Sequence, residues 1–258
     1  MRLLLLLAAL QLHADDDANQ ILKRFAQADA ENWEQAKQYA YTQELTNYAY
    51  DKKDKLVQDG AAVWEVIFVE GLEYKKLISK DGKPLDAKAQ AKEEKKMQQT
   101  AEERRKQRRS GLLHRTVAMS STEELLTFFD NRLLGEEEIR GRKAWVIEST
   151  PKAGHVPADQ HEKEILSWSR KLWIDQTENF TLKTMATVIG DHLLPTLPGT
   201  SFTFEYEKIN GDAWLAVRQS DEVRMQFVKF VKPRGRSDYR YSKFHKFDVQ
   251  STLTIDKQ

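Results

Sequence analysis

The sequence contains no cysteine and no apolar run long enough to span a bilayer. Without cysteine the chain can form no disulfide, no thiolate metal site and no lipid anchor on an N-terminal cysteine. The longest apolar run, residues 3–10, is far shorter than the ~20 residues that a membrane-spanning helix requires. A charge excess of one sign is lacking as well, because 41 basic and 40 acidic residues give a net charge of +1. This balance argues against a general polyanion-binding protein, and we expect no nucleic acid partner.

The N-terminus has the pattern of a secretory signal peptide. Arg2 precedes the apolar run, and Ala14 is followed by three aspartates, residues 15–17. We therefore expect a signal peptide over residues 1–14, with cleavage near Ala14, and a single domain over residues 15–258. The mature protein would then be periplasmic or secreted. The alternative is an N-terminal helix that remains buried in the folded protein.

Aromatic and β-branched segments separated by turn residues predict a mainly β protein of the α+β class. An amphipathic helix over residues 16–36, in which Ile21, Leu22 and Phe25 recur at helical spacing, precedes the strands. Strands joined by short turns pair antiparallel, because parallel strands need long crossover connections. About eleven strands are expected, among them residues 39–50, 61–69, 72–79, 137–140, 143–150, 170–175, 179–189, 200–209 and 239–253.

Two further helices are predicted between the strands. Residues 85–109 contain no Gly or Pro and almost no apolar stripe, which predicts a solvated basic helix carried as an insertion. Ser121 and Glu124 have the spacing of a capping box. They begin a short helix over residues 121–130, which carries Phe128 and Phe129.

The segment 200–231 has large apolar residues at alternate positions and a turn signal at Asn210-Gly211. A two-residue Asn-Gly turn favours a type I′ hairpin and so fixes which residues of the two strands lie opposite each other. A three-residue loop at 220–222 would bring the next strand onto the same face. The apolar face predicted in this way, with Tyr206 opposite Leu215 and Phe204 opposite Val217, consists of Phe202, Phe204, Tyr206, Leu215, Val217, Met225 and Phe227.

An apolar sheet face must be covered by another sheet, by helices or by a ligand. The predicted helices 16–36 and 121–130 offer little cover for about eleven strands, which favours a hydrophobic cavity. The second helix would contribute Phe128 and Phe129 to this cavity. The apolar loop 190–200 would form its rim or lid through Leu193, Leu194 and Leu197. The alternative is a filled core with a structural role only.

Patterns typical of catalysis are scarce. His161 begins the segment HEKEI, in which Ile165 stands where the HExxH zinc motif needs its second histidine. We therefore expect no enzyme, no metal and no cofactor, and a hydrolase would need a carboxylate pair that sequence patterns do not reveal. The basic end of the 85–109 helix either complements the helix macrodipole or contacts an anionic membrane surface or an envelope protein, through Arg104, Arg105, Lys106, Arg108 and Arg109.

Two segments carry a resemblance to a known family. The strand and turn "WVIESTPK" (145–152) is followed by "KLWIDQTENFTLKTMATV" (171–188), after an N-terminal amphipathic helix that leads into an aromatic strand. This arrangement resembles the LolA/LolB-like lipoprotein-sorting superfamily, which includes the RseB sensor domain, over residues 17–80 and 121–250. The resemblance implies a strongly curved antiparallel sheet of about eleven strands, an unclosed barrel with helices over its concave side. The 85–109 helix and the long apolar loop 190–200 depart from the family pattern.

The predicted function is that of an exported, monomeric carrier that binds a lipid or lipoprotein acyl chain without covalent chemistry. Burial of each CH₂ contributes ~0.8 kcal/mol, so a chain of ~16 carbons offers on the order of 10 kcal/mol before ordering costs. The alternative is an envelope sensing or protein-interaction module with a filled core, in which the basic helix docks a partner. Sequence patterns do not separate these two hypotheses.

Overall fold

The computed structural model describes residues 2–109, 121–190, 196–226 and 234–246. Leu193, Leu194 and Phe227 of the predicted site lie outside the described residues. The helices are α1 (Arg2–Ala36), α2 (Ala87–Arg109), α3 (Thr122–Phe128) and α4 (Gln160–Ile165). The strands are β1 (Tyr39–Tyr50), β2 (Leu56–Val69), β3 (Leu72–Lys80), β4 (Lys83–Pro84), β5 (Phe129–Ile139), β6 (Arg142–Pro151), β7 (Trp168–Asp175), β8 (Thr181–Val188), β9 (Ser201–Ile209), β10 (Ala213–Arg224) and β11 (Arg234–Lys246).

All eleven strands belong to one antiparallel sheet, whose order is β4-β3-β2-β1-β11-β10-β9-β8-β7-β6-β5. Successive strands from β5 to β11 pair with each other, and β11 then pairs with β1. The sheet does not close, since β4 and β5 form its two edges. The predicted fold class, a mainly β protein with an open antiparallel sheet, is confirmed. In the described part of the chain no helix combines the length and apolarity that crossing a bilayer would require.

Helix α1 packs on one face of the sheet, which we call the inner face. Its side chains Ala18, Ile21 and Leu22 form a buried cluster with Ile147 of β6 and with Leu172 and Ile174 of β7. None of these six side chains is more than 4% exposed. This cluster is the main core between helix and sheet.

The C-terminal end of α1 contacts strands in the other half of the sheet, on the same inner face. The Asn32 side chain donates to the backbone carbonyl of Trp214 at 2.9 Å and accepts from its N–H at 2.6 Å. The ring of Trp33 contacts Phe68 of β2, with 5.8 Å between centroids. Ile21 and Trp33 are ~18 Å apart along a helix, whereas β7 and β2 would be ~29 Å apart in a flat sheet. One helix reaches both because the sheet curves, as the resemblance implies.

The predicted register of the β9–β10 hairpin is wrong. Ile209 lies opposite Ala213 rather than opposite Asp212, although the two turn residues have the positive φ angles that an Asn-Gly turn favours. Tertiary contacts hold Asp212 outside the ladder. Its carboxylate accepts from the Tyr39 hydroxyl at 2.5 Å and pairs with Lys246. A contact between distant segments therefore decides the local register.

Strand β10 also differs from the prediction of a loop at residues 220–222. It continues through Arg224 and is interrupted only by a β-bulge at Val217, in the register shift between β10 and β9. Beyond the bulge, Phe204 faces Gln219 and Phe202 faces Asp221. The bulge thus places polar residues of β10 opposite the aromatic residues of β9.

Helix α2 packs on the outer face of the sheet, opposite to α1. On β3, Glu73 lies opposite Phe68, so Tyr74 points to the other face. Tyr74 is buried there, as are Met97 and Ala101 of α2. The helix predicted over 85–109 is thus exposed over most of its length and attached to the sheet through these buried side chains.

Three smaller features complete the comparison with the predicted elements. The capping box of α3 is confirmed, because the Ser121 hydroxyl accepts from the Glu124 N–H and the Glu124 carboxylate accepts from the Ser121 N–H. The helix is shorter than predicted and ends at Phe128, where β5 begins. Helix α4 was not predicted, and it begins at Asp159, whose side chain caps the Glu162 N–H at 2.9 Å.

Candidate functional site

Aromatic side chains form a row on the inner face, along β9. This aromatic row consists of Trp168, Phe202, Phe204, Tyr206 and Phe180. Ring centroids are 5.3 Å apart for Trp168 and Phe202, 6.4 Å for Phe204 and Tyr206, and 5.9 Å for Tyr206 and Phe180. Such spacings are typical of favourable aromatic pairs. The three β9 residues alternate in sequence and therefore share one face.

Strand pairing assigns the aromatic row to the inner face. Phe204 lies opposite Thr184, and Thr184 lies opposite Leu172, which belongs to the cluster under α1. Yet α1 makes its main contacts with β5, with the start of β10 and with α3. The β9 aromatic residues are accordingly half-buried, whereas Ile147 in the core is fully buried. The Phe180 end of the row packs against Phe25 of α1, and the β9 residues continue from there along the sheet.

A cavity of about 310 Å³ opens at one end of the aromatic row. It lies between the second half of α1 and the β9–β10 hairpin. Phe180 and Trp214 form its aromatic wall, and the rest of its lining is mainly polar: Ala28, Glu31, Asn32, Gln35, Glu178, Lys208 and Asp212. Phe180 stacks on Trp214 at 5.5 Å and contacts Phe25 of α1 at 6.0 Å. This end of the row therefore has room beside it as well as an aromatic surface.

Four polar side chains lie next to the aromatic row, on the same face, and we call them the polar cluster: Gln43, Gln219, Asp221 and Tyr241. The Tyr241 hydroxyl donates to Gln219 Oε1 at 2.6 Å. Gln219 Nε2 donates to both carboxylate oxygens of Asp221, at 2.9 and 3.1 Å. Gln43 Nε2 donates to the Tyr241 hydroxyl at 3.5 Å. Gln43 is 1% exposed and Asp221 is 6% exposed, so the cluster is buried although it is polar.

The environment of Asp221 shifts its acidity. Burial raises the pKa of the Asp221 carboxyl to about 6, and the charge of Asp238 adds to this rise. The hydrogen bond from Gln219 and the positive charge of Lys75 favour the ionised form and limit the rise of the pKa. Burial is also the main cause of the raised pKa of Tyr241, which therefore stays protonated and remains a donor.

The structure brings together only part of the predicted apolar face. Phe202, Phe204 and Tyr206 lie together on the inner face, as the alternation predicts. Leu215 lies opposite Glu207 instead of Tyr206, and packs in a separate cluster with Ala36, Tyr39 and Ala213 at the end of the sheet. Val217 is the bulge residue. Met225 forms an isolated bridge with Thr196, next to Leu197 of the predicted rim, whose N–H donates to the Arg224 carbonyl at 2.9 Å.

Phe128 and Phe129 lie at the edge of the sheet, away from the aromatic row. Phe129 is 2% exposed and forms a cluster with Leu125 and Ile165, against which Phe128 packs. The Arg170 guanidinium lies over the Phe129 ring, 4.9 Å from its centroid. Both rings therefore belong to the packing of α3 and α4 on the sheet.

Most basic side chains at the end of α2 form hydrogen bonds or ion pairs within the protein. Arg104 donates to the backbone carbonyls of Val69, Leu72 and Glu73 at 2.7–2.8 Å, which ties α2 to the β2–β3 turn. Arg105 pairs with Glu70 at 2.7 Å, and Arg108 pairs with the same carboxylate at 3.3 Å. Arg109 is exposed, and Lys106 also takes part in an interaction within the protein.

The outer face carries a polar cleft of about 480 Å³ across β1, β11, β10 and β9. Arg218 and Arg240 lie directly opposite each other in this cleft, flanked by Glu205 and Glu44. Each arginine thus has a carboxylate on its other side, which offsets the repulsion between the two opposite arginines. Among the described residues, no group of three or more His, Asp or Glu side chains is placed to hold a metal ion.

Sequence reasoning missed the polar cluster. Asp221 falls in the loop predicted at 220–222, whose odd length would bring the next strand, with Met225, onto the apolar face. The alternation of Gln219 and Asp221 in a strand could have indicated a polar stripe, but the bulge that brings this stripe onto the inner face has no clear sequence signal. Gln43 and Tyr241 lie nearly two hundred residues apart in the sequence, and only the β1–β11 pairing places them opposite each other.

No protein-family model matches the chain, and no curated protein matches it. Solved structures that resemble it include a putative outer membrane lipoprotein-sorting protein domain from Vibrio parahaemolyticus. That domain is 12% identical, with coverage of 91% of this chain and 95% of that one and a TM-score of 0.41. A LolA superfamily protein from Nitrosomonas europaea is 12% identical, with coverage of 90% and 94% and a TM-score of 0.34.

A third similar structure is the MucA/MucB complex of Pseudomonas aeruginosa, with 13% identity, coverage of 90% of this chain and 100% of that one, and a TM-score of 0.28. One of these structures is thus of the superfamily that the sequence resembles. At these identities and scores the likeness carries no statement about the family or function of this chain.

Proposed function

We propose that this protein binds the acyl chain of a lipid or lipoprotein on the inner face of its sheet, as a non-covalent carrier. The observation that carries the proposal is the aromatic row, which is half-buried beside α1 while the neighbouring core is filled. An apolar surface that the protein's own helix does not cover is typical of a binding site for an apolar ligand.

The aromatic row has the dimensions and chemistry that an acyl chain requires. Phe202 and Tyr206 are four residues apart on β9, which corresponds to ~13 Å of extended strand. A chain laid along these rings gains ~0.8 kcal/mol for each CH₂ that leaves water. The cavity of about 310 Å³ beside Phe180 is lined mainly by polar side chains and is not part of this path.

A tryptophan on each face of the sheet allows a matched test. Trp168 contacts Phe202 in the aromatic row, whereas Trp173 lies on the outer face, where Lys171 and Lys183 cover its ring at 5.1 and 4.7 Å. A palmitate brominated along its chain should quench the fluorescence of the wild-type protein at low micromolar concentration. Trp168→Phe should remove a large share of this quenching, and Trp173→Phe should leave it nearly unchanged.

Affinity gives a second, independent measurement. Phe204→Ala should weaken acyl-chain binding roughly tenfold, because a half-buried phenylalanine that becomes buried on binding contributes ~1.5 kcal/mol. Thr203→Ala, at the neighbouring position on the outer face, is the control and should change the affinity less than twofold. The proposal fails if the wild-type protein takes up no acyl probe, or if both tryptophan variants lose quenching equally.

A further inference from the structure

The polar cluster is rich in hydrogen-bond acceptors and uses its donors internally. Gln43 Nε2 donates to Tyr241, Tyr241 donates to Gln219, and Gln219 Nε2 donates to Asp221. This chain of hydrogen bonds ends at Asp221, whose two carboxylate oxygens both accept from Gln219 Nε2. An ionised carboxylate has about four lone-pair sites, so Asp221 can accept further donors.

A second acceptor in the cluster lacks a partner altogether. Among the described residues nothing donates to Gln43 Oε1, which is buried within a side chain that is only 1% exposed. A buried polar atom without a partner costs free energy, and most are therefore satisfied in folded proteins. Rotating the Gln43 amide would only exchange an unpartnered acceptor for an unpartnered donor.

The position of the cluster relates it directly to the aromatic row. Asp221 lies opposite Phe202 and Gln219 lies opposite Phe204 on the adjacent strand. Directly opposite residues on paired strands have Cβ atoms ~5 Å apart. A molecule that lies along the aromatic row therefore brings one of its ends within reach of Asp221.

We propose that the polar cluster binds the polar end of an amphiphile that carries an ammonium group, while its acyl chain lies along the aromatic row. This inference rests on the proposed function and assigns the class of ligand. The N–H donors of the ammonium group would pair with the Asp221 carboxylate. A charge-assisted hydrogen bond to a carboxylate is about twice as strong as a neutral one.

The charges that act on Asp221 are one positive and one negative. Lys75, an exposed residue of β3, is the cation, and Asp238 adds negative charge from the outer face, so that with Asp221 ionised the site has a net negative charge. Tyr239 and Tyr241 also face Asp221, and both have raised pKa values through burial, so they stay neutral. A carboxylate or phosphate head group would meet Asp221 without gaining a donor from the cluster.

Three probes with the same chain and different ends test the inference. Dodecylammonium has charge and N–H donors, dodecyltrimethylammonium has charge without donors, and laurate is anionic. Their affinities for the full-length chain should be measured by calorimetry at pH 7.5, below their micellar concentrations. Dodecylammonium should bind roughly tenfold more tightly than the trimethylated probe, as expected for hydrogen bonds to a charged group. Laurate should bind most weakly.

Two variants distinguish the binding of the head group from the binding of the acyl chain. Asp221→Asn should reduce the preference for dodecylammonium to within about twofold, because the amide still accepts from Gln219 but has no charge. Phe202→Ala should weaken all three probes by a similar factor. Glu44→Gln, which removes a carboxylate on the outer face opposite Arg240, is the matched control and should leave the preference unchanged.

The outcomes distinguish the two proposals. Equal binding of the three probes, tightest binding of laurate, or an unchanged preference in Asp221→Asn would overturn the ammonium site while the acyl-chain proposal stands. Failure of every probe to bind would overturn both proposals. A circular dichroism spectrum and a melting curve of Asp221→Asn that match the wild type or exceed its melting temperature show that the variant is folded, so that its binding result counts.

Discussion

Two regions of one sheet face differ in how their side chains are covered. Under α1, strands β6 and β7 present Ile147, Leu172 and Ile174, which pack against the helix and are at most 4% exposed. Along β9 and β10, aromatic residues lie opposite polar ones, as in the pair Phe202 and Asp221. The first region has the composition of a core, and the second combines half-buried rings with buried polar atoms. A buried polar group beside an open apolar surface is the more informative observation about function.

The difference follows from the path of α1. The helix crosses the curved sheet along one end, from the β7 core to its contact between Trp33 and Phe68 on β2. It therefore fills the space over β5–β7 and touches β10 only near Trp214. The first region contributes stability, and the second carries groups whose burial costs free energy.

The largest expected loss of stability is in the core under α1, which we call the filled region. Ile147→Ala should destabilise the protein by about 2–5 kcal/mol, because it removes a fully buried side chain and leaves a cavity. Phe204→Ala should cost less, since the Phe204 ring is already half-buried rather than enclosed. Urea unfolding followed by circular dichroism measures both. An equal loss in the two variants would show that the aromatic row is an ordinary core, and would break the comparison.

Substitution of Asp221, unlike that of Ile147, is expected to increase the folding stability. Because the folded-state pKa is about 6 and the ordinary value is 3.8, the folded protein holds this proton more tightly than the unfolded chain does. Stability therefore falls as the pH rises from about 4 to about 6, and the full penalty remains at higher pH. With 1.36 kcal/mol for each pKa unit, the penalty is at most about 3 kcal/mol, and solvent screening reduces it.

Asp221→Asn should therefore raise the unfolding free energy at pH 8 and have little effect near pH 4. Melting temperatures of the variant and the wild type at the two pH values measure this difference. Glu44→Gln is the control, because Glu44 lies on the outer face opposite Arg240 and should give no such gain at pH 8. A variant that is less stable than the wild type at pH 8 would show that the Asp221 carboxylate is not a cost to folding.

The sequence predicts the filled region better than the site. Helical spacing in residues 16–36 indicates which side of α1 is buried, and apolar strands such as residues 170–175 identify what it packs against. These are local patterns, and the hydrophobic effect enforces them wherever the strands pair. The class of fold and the number of strands follow from the same signals.

The site depends on features that local patterns do not determine. The register of β10 is set by the contacts of Asp212 with Tyr39 and Lys246, which lie 173 and 34 residues away. The bulge at Val217 then exchanges the face on which Gln219 and Asp221 lie. A one-residue change of register reverses every side chain beyond it. Alternation therefore predicts the aromatic row correctly but cannot predict what lies opposite to it.

A smaller effect is expected on the outer face, where α2 is attached. Arg104→Ala should destabilise the attachment of α2 by about 1–2 kcal/mol, because it leaves three backbone carbonyls of the β2–β3 turn without this donor. Hydrogen exchange should become faster in α2 and β3, and stay unchanged in β6 and β7. Arg109→Ala, at an exposed position of the same helix, should change exchange very little. Faster exchange throughout the sheet would mean that α2 is part of the global fold and not a separate attachment.

The smallest effect tests how far the filled region depends on its edge. Ser121→Ala removes the hydroxyl that accepts from the Glu124 N–H at 3.2 Å, and should cost about 1 kcal/mol. Helix α3 packs through Leu125 beside Phe129, so the loss should appear as local opening at the β5 edge, in hydrogen exchange of residues 122–131. Ser121→Thr keeps the hydroxyl and should stay within about 0.5 kcal/mol of the wild type. Acyl-chain affinity should be the same in both variants, because the aromatic row lies on other strands; a weakened affinity in Ser121→Ala alone would mean that α3 helps to form the binding surface.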